Sequence, residues 1–230
     1  QVRCWGANEF GQLGDLTTRY RQTPVRVRGL HNEAEIAVGS LHSCARLTTG
    51  RVRCWGRNSS GQLGTRTARD RQIPVRVQSL RNVAEIALGS LHSCARLTNG
   101  QVRCWGSNEF GQLGIRTARD SRAPVQVRGL RNVAEISLGS QHSCARLSTG
   151  QLLCWGRNAS GQLGDGTTRN RQNPVEVQFG NVSKPRRFPL EGFDDWNAAR
   201  ITTSFGAYGP YDKTNKKCSY IRFPNRPNSD

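Results

Sequence analysis

The chain has 230 residues, with 34 Lys and Arg against 16 Asp and Glu, for a formal net charge of +18. That length supports a substantial core in one or two domains, and no apolar run approaches membrane-spanning length. The charge bears on partners rather than fold: it favours anionic glycans or polymers, acidic protein faces and nucleic acid.

Cys-Trp-Gly stands at 4–6 and returns at 54–56, 104–106 and 154–156, each time followed by an Asn and then Gly-Gln-Leu-Gly. Pro-Val follows at 24–25, 74–75, 124–125 and 174–175. A period of 50 without insertion predicts a propeller or solenoid over residues 1–178. Counted from the first residue, the units are 1–50, 51–100, 101–150 and a partial 151–178. No secretory signal opens the sequence, and Gln1 falls inside a repeat, which we read as a mature or trimmed product. A weaker 100-residue rhythm is also present: Glu9-Phe10 and Glu109-Phe110 alternate with Ser59-Ser60 and Ala159-Ser160. All four lysines lie beyond residue 180, so the repeats carry arginine alone. Arginine suits bidentate recognition of carboxylate, phosphate or sulfate, although a GC-rich gene would give the same bias.

Within a unit the segments are short. "VAEIALGS" (83–90) alternates apolar with small or polar residues, and "PVRV" (74–77) alternates after a proline suited to a strand start or edge. "HSCARL" and "RVRCW" flank Thr48-Thr49-Gly50, a hairpin signal with glycine at the turn. No stretch keeps a helical period, so the fold class is all-β, with three or four strands per unit as in a propeller blade. Around a three-residue loop Leu47 faces Arg51 and Cys44 faces Cys54, and the same spacing pairs Cys94 with Cys104 and Cys144 with Cys154. Opposed Cβ atoms stand about 4.5–5.5 Å apart, close to the roughly 3.5–4.5 Å a disulfide needs. Disulfides in this register imply an oxidising, extracellular or periplasmic setting. Buried free thiols are one alternative. Zinc held by His42, Cys44 and Cys54 is another, but it lacks the fourth ligand of a closed structural site. A catalytic thiol would not recur identically in each unit. Cys4 and Cys218 remain, and a Cys4–Cys218 bond would tie the two ends together.

Residues 83–114, "VAEIALGSLHSCARLTNGQVRCWGSNEFGQLG", closely resemble the regulator of chromosome condensation repeat. That repeat carries a Gly-x-x-His segment, a Gly turn, a Trp-Gly-x-Asn-x-x-Gly-Gln-Leu-Gly signature and a later Pro-Val. The resemblance spans residues 1–178 and implies a β-propeller, usually of seven blades. Four repeats are too few for that ring, so the chain is a fragment, a smaller closed ring, or a sheet completed by another chain. It also accounts for His42, His92 and His142 without metal, while His31 stands alone. The family includes a nuclear nucleotide-exchange factor that binds chromatin, a secreted β-lactamase inhibitor and a plant photoreceptor. The photoreceptor's tryptophans are replaced here by Leu41, Leu91 and Gln141, so light sensing is not implied.

The repeat stops after Gln178, and residues 179–230 change composition. "AARITTSFGAY" (198–208) and "KTNKKCSYIRF" (213–223) echo a strand and its return, which we read as a degenerate closing blade. A basic, aromatic tail also suits nucleic acid, but aromatics filling a blade edge are the simpler account. Glycosylation sequons begin at Asn58, Asn158 and Asn181. The first two coincide with the structural signature, which makes Asn181 the better candidate. Between Gln-Leu-Gly and Pro-Val lie Arg19, Arg21, Arg66, Arg69, Arg71, Arg116, Arg119, Arg122, Arg169 and Arg171. Repetition about an axis would gather them as loops on one rim, where binding commonly resides; a merely solvated basic surface is the competing account. No nucleophile elbow, recurring carboxylate pair or phosphate loop appears, so neither catalysis, a metal nor a cofactor is expected. The expectation is a secreted binding module whose basic rim engages an anionic glycan, a surface polymer or an acidic protein. The rivals are a structural subunit that self-associates through an incomplete ring, a secreted enzyme inhibitor and, disfavoured by the cysteines, a nuclear exchange factor or chromatin binder.

Overall fold

The computed structural model describes residues 1–179, and Asn181, Cys218 and the divergent tail lie outside them. Among the described residues there are fourteen strands and no helix. The short alternating segments become β1 (Arg3–Gly6) and β2 (Arg21–Arg26), followed by three four-stranded sheets. The first sheet runs β3 (Glu33–Val38), β4 (His42–Leu47), β5 (Val52–Gly56) and β6 (Arg71–Arg76). The second runs β7 (Val83–Leu88), β8 (His92–Leu97), β9 (Val102–Gly106) and β10 (Ser121–Gln126). The third runs β11 (Val133–Leu138), β12 (His142–Leu147), β13 (Leu152–Gly156) and β14 (Arg171–Glu176). Every sheet is an antiparallel meander in chain order. The fold is an all-β propeller-type array, and each complete blade starts in one 50-residue unit and ends in the next. At the inner side β7 lies between β3 and β11, its neighbours in the adjoining blades. The outermost strands carry Pro24, Pro74, Pro124 and Pro174. Proline lacks the N–H that an added strand would need, which blunts these edges.

The repeated hairpin follows its turn chemistry. Gly50 sits at φ 69° and donates its N–H to Leu47 O at 2.9 Å, while Leu47 N donates to Arg51 O at 2.8 Å. Cys44 then opposes Cys54 directly. Disulfides join Cys44 to Cys54, Cys94 to Cys104 and Cys144 to Cys154, each across a Cα separation of 4.1 Å. Five of the six half-cystines are buried, and Cys144 is partly buried. Cys4 is also buried, opposite Val25.

Blades are locked to one another by the Trp-Gly and Gly-Gln-Leu-Gly segments. Trp55, Trp105 and Trp155 are almost fully buried. Their Nε1 groups donate to the carbonyls of Gln12, Gln62 and Gln112 in the preceding unit at 2.9, 2.8 and 2.8 Å. The same carbonyls accept the hydroxyls of Ser43, Ser93 and Ser143 at 2.9 Å. The indole needs a bare backbone beneath it: a Cβ on Gly64 would lie 3.0 Å from Trp105 Nε1. Leu63 and Val77 of one blade accordingly share a core with Ala95 and Trp105 of the next. On the inner strands Glu35 pairs with Arg46 at 2.8 Å and accepts Ile86 N of the next blade at 3.3 Å. Glu85 repeats this with Arg96 and Ile136 N, and Glu135 pairs with Arg146. Burial pushes the Glu85 carboxyl up, against the opposing pull of Arg96.

Candidate binding face

Because β5 ends at Gly56 opposite the start of β4, and β6 begins at Arg71 opposite Gly56, the loop 57–70 emerges beside the 39–41 turn. The other blades repeat this arrangement, so loops 7–20, 57–70, 107–120 and 157–170 share one face with the Gly-x-x-His turns.

One buried asparagine organises each loop. Asn58 accepts Leu63 N through Oδ1 at 2.9 Å and donates through Nδ2 to Thr65 Oγ1, Thr67 O and Arg69 O. Asn8, Asn108 and Asn158 hold the equivalent positions. Gln62 Oε1 closes the turn by accepting Ser60 N at 3.0 Å. These bonds consume the amides of Asn58 and Asn158, which are 0 % exposed. Neither sequon can take a glycan in the folded chain. The sequon at Asn181 lies outside the described residues.

Two of the rim arginines serve the loops themselves. Arg21 pairs with Asp15 and Arg171 with Asp165, at 2.8 and 2.6 Å. Burial would raise the Asp165 carboxyl, but hydrogen bonds from Thr167, Arg171 and Asn158 outweigh it and hold it at about 2. Asp15 is lowered by the same set of contacts acting against its burial. Asp70 and Asp120 instead cap the loops by accepting Asn58 N and Asn108 N at 2.7 and 2.8 Å. Arg71 is half-buried. Arg19, Arg66, Arg69, Arg116, Arg119, Arg122 and Arg169 are exposed, and none forms an ion pair among the described residues. Arg66 and Arg122 come together at a blade junction, where Arg66 N donates to Arg122 O at 2.9 Å. Arg66 and Arg116 hold left-handed backbone, with φ of 62° and 64°, at the position Gly166 fills in the fourth repeat.

Some features went unnoticed in the sequence. The opposite face, with the 27–32 and 77–82 connections, exposes Arg28, Arg51, Arg81, Arg128 and Arg131. The period-50 repetition of Arg81 and Arg131 was a readable signal for that second basic surface. The 100-residue rhythm also has a physical counterpart. Arg57 lies over the Phe10 ring at 4.9 Å, and Arg157 over Phe110 at 5.3 Å. Alternate junctions are therefore closed by a cation–π pair.

The histidines are junction residues. His42 Nε2 meets Ser93 Oγ at 2.9 Å, and His92 Nε2 meets Ser143 Oγ at 3.0 Å. Each serine donates its own proton to a glutamine carbonyl, so the imidazole is neutral with its proton on Nε2. Burial pushes His42 and His92 down to about 3. No group of three or more His, Cys, Asp or Glu is placed to hold a metal among the described residues.

Residues 1–193 match the family model of the RCC1-like domain. Among solved structures, Prp20p from Saccharomyces cerevisiae has a TM-score of 0.71 at 23% identity, over 79% of this chain and 47% of its own. Yeast RCC1 (Prp20) bound to Kap60 has a TM-score of 0.68 at 22% identity, over 79% and 45%. Human WBSCR16 has a TM-score of 0.66 at 24% identity, over 77% and 48%. The chain spans about half the length of these structures, and at such identities the likeness is one of fold. No curated protein matches the sequence.

Proposed function

From the premise that the chain belongs to the RCC1-like domain family, we propose that it is a non-enzymatic extracellular binding module. Its loop face engages an anionic ligand, either an acidic protein surface or an anionic glycan or polymer. One observation carries the reading. Arg19, Arg66, Arg69, Arg116, Arg119 and Arg169 are exposed without carboxylate partners among the described residues, on loops whose backbones are fixed by buried asparagines, and Arg122, equally exposed and unpaired, stands at the start of β10 beside them. Such a surface loses little freedom on binding, and arginine offers a planar fork to carboxylate, sulfate or phosphate. The three disulfides favour an oxidising compartment.

Prp20p, described with its binding to Gsp1p and histones, suggests a nuclear reading. A basic face has the wrong sign for a basic partner, and disulfides do not suit a reducing nucleus. The test is titration calorimetry of the chain with polyglutamate and with a heparin fragment, repeated after changing the seven arginines to Gln. Affinity for at least one polyanion should fall about tenfold or more, given modest losses per exposed contact. Unchanged affinity in the variant overturns the loop face as the binding surface.

A further inference from the structure

The repeats act as internal controls for one another, and one junction stands apart. At the left-handed loop position the four repeats carry Leu16, Arg66, Arg116 and Gly166; four residues later they carry Tyr20, Asp70, Asp120 and Asn170. On the outer strands the position before the proline holds Thr23, Ile73, Ala123 and Asn173. The bulky apolar choices thus fall on the first loop and on the outer strand of the first complete blade. Leu16 N donates to Gln72 O at 3.3 Å, and a Cβ on Gly11 would lie 2.7 Å from Gln72 Cα. The loop bearing Leu16 and Tyr20 therefore rests on the residue next to Ile73.

All three side chains face solvent: Leu16 is 58% exposed, Tyr20 67% and Ile73 38%. Leu16 also holds a φ of 71°, the left-handed conformation that Arg66, Arg116 and Gly166 hold in the other repeats, and it is the bulky apolar residue at that position. An exposed leucine in strained backbone gains nothing for the fold, and such outliers concentrate at functional surfaces. Ile73 lines an open groove of about 550 Å³ with Val75, Arg71 and Arg76. Arg53 stands opposite Arg76 on the adjoining strand, and the groove's carboxylate, Asp70, accepts Asn58 N.

We propose that this junction docks an acidic peptide segment carrying a bulky apolar side chain, its carboxylates on Arg71 and Arg76 and its apolar group against Ile73 and the loop that carries Leu16 and Tyr20. The inference rests on the reading of the protein as an anion-binding module and selects the acidic protein over the glycan. A sugar ring can stack its C–H face on Tyr20 but has no apolar side chain to set against the aliphatic Leu16 and Ile73, whereas a peptide carries both chemistries.

The test compares three probes, a peptide of alternating Glu and Phe, polyglutamate of equal charge and a heparin fragment. They are titrated against the parent chain and L16G/Y20N/I73N, whose substitutions are the residues of the fourth repeat. The parent should prefer the Glu-Phe peptide to polyglutamate by about tenfold. The variant should lose that preference, keep its polyglutamate and heparin affinities, and melt no lower than the parent. A parent without the preference, or a variant that keeps it, overturns the inference while leaving the arginine loops untouched. A parent that binds the Glu-Phe peptide but neither polyglutamate nor heparin overturns the anionic loop face and leaves this junction standing. Binding of none of the probes removes both.

Discussion

Lowering the pH from 7 to 5 should destabilise the fold through its junction histidines. His42 and His92 are buried at successive blade contacts, and burial holds both near 3; burial lowers His142 as well. The Nδ1 atoms of His42 and His92 have no hydrogen-bond partner among the described residues, so a second proton on either ring would be met by nothing. In the unfolded chain the same rings titrate near 6.5. Between 6.5 and 3 the unfolded chain binds more protons than the folded one, so stability drops as pH falls through that window. The loss is about 2 kcal/mol per histidine at pH 5, and about 4 kcal/mol for His42 and His92 together. Asp15 and Asp165, held below the usual carboxylate range, lose their contribution only below about pH 4. Glu85, raised by burial, works in the opposite direction and tempers the fall near its own range. Urea denaturation at pH 7, 6 and 5, followed by tryptophan fluorescence, reads the effect where it arises, because Trp105 and Trp155 sit at the same junctions. His92→Gln should reduce the difference between pH 7 and 5 by about 2 kcal/mol even if the variant is weaker throughout. Equal stability at pH 7 and pH 5 in the parent refutes the reasoning.

The double substitution Cys94→Ala, Cys104→Ala should cost about 3 kcal/mol in chain entropy for a loop of this length, read as a lower urea midpoint with no change of far-ultraviolet circular dichroism. Gly89→Ala should cost about 3 kcal/mol or more, because its Cβ would lie 2.2 Å from His92 Cε1. Gly129→Ser at the opposite face should cost only about 1 kcal/mol in the same urea titration, the strain of a φ of 78° alone, since nothing lies within 4 Å and Ser79 already holds the equivalent φ at 55°. Asn108→Ala should unlock one loop at about 2–3 kcal/mol by leaving Leu113 N unsatisfied, with faster amide exchange at residues 113–119 as its mark.

The period of 50 made most of the fold legible, because one register argument served every repeat. Leu47 facing Arg51 sets Cys44 against Cys54, which put a disulfide within reach while leaving free thiols and zinc as alternatives, and the bonds themselves appear in the structure. The phase of the blades was not legible from counting, since a blade is defined by which strands pair and β6 reaches its partners across a residue-57–70 loop. The junction chemistry was hidden for a similar reason. His42 meets Ser93 and Trp105 meets Gln62 only after neighbouring blades turn past one another. The 100-residue alternation of Phe10 and Phe110 was visible, but its partners Arg57 and Arg157 are set by the inter-blade approach. At the candidate site the sequence picked out the loops, yet could not separate Arg21 and Arg171, which brace Asp15 and Asp165, from the seven arginines left exposed.

The central claim is a disulfide-stapled scaffold built for an oxidising compartment, and the most direct test is the count of reactive thiols. The native chain, prepared without reductant, is treated with an alkylating reagent in denaturant and weighed intact. Of its eight cysteines, the six of the three hairpins should remain unlabelled until reductant is added, leaving at most Cys4 and Cys218 to react. Labelling of Cys44, Cys54, Cys94, Cys104, Cys144 and Cys154 without reductant contradicts the account.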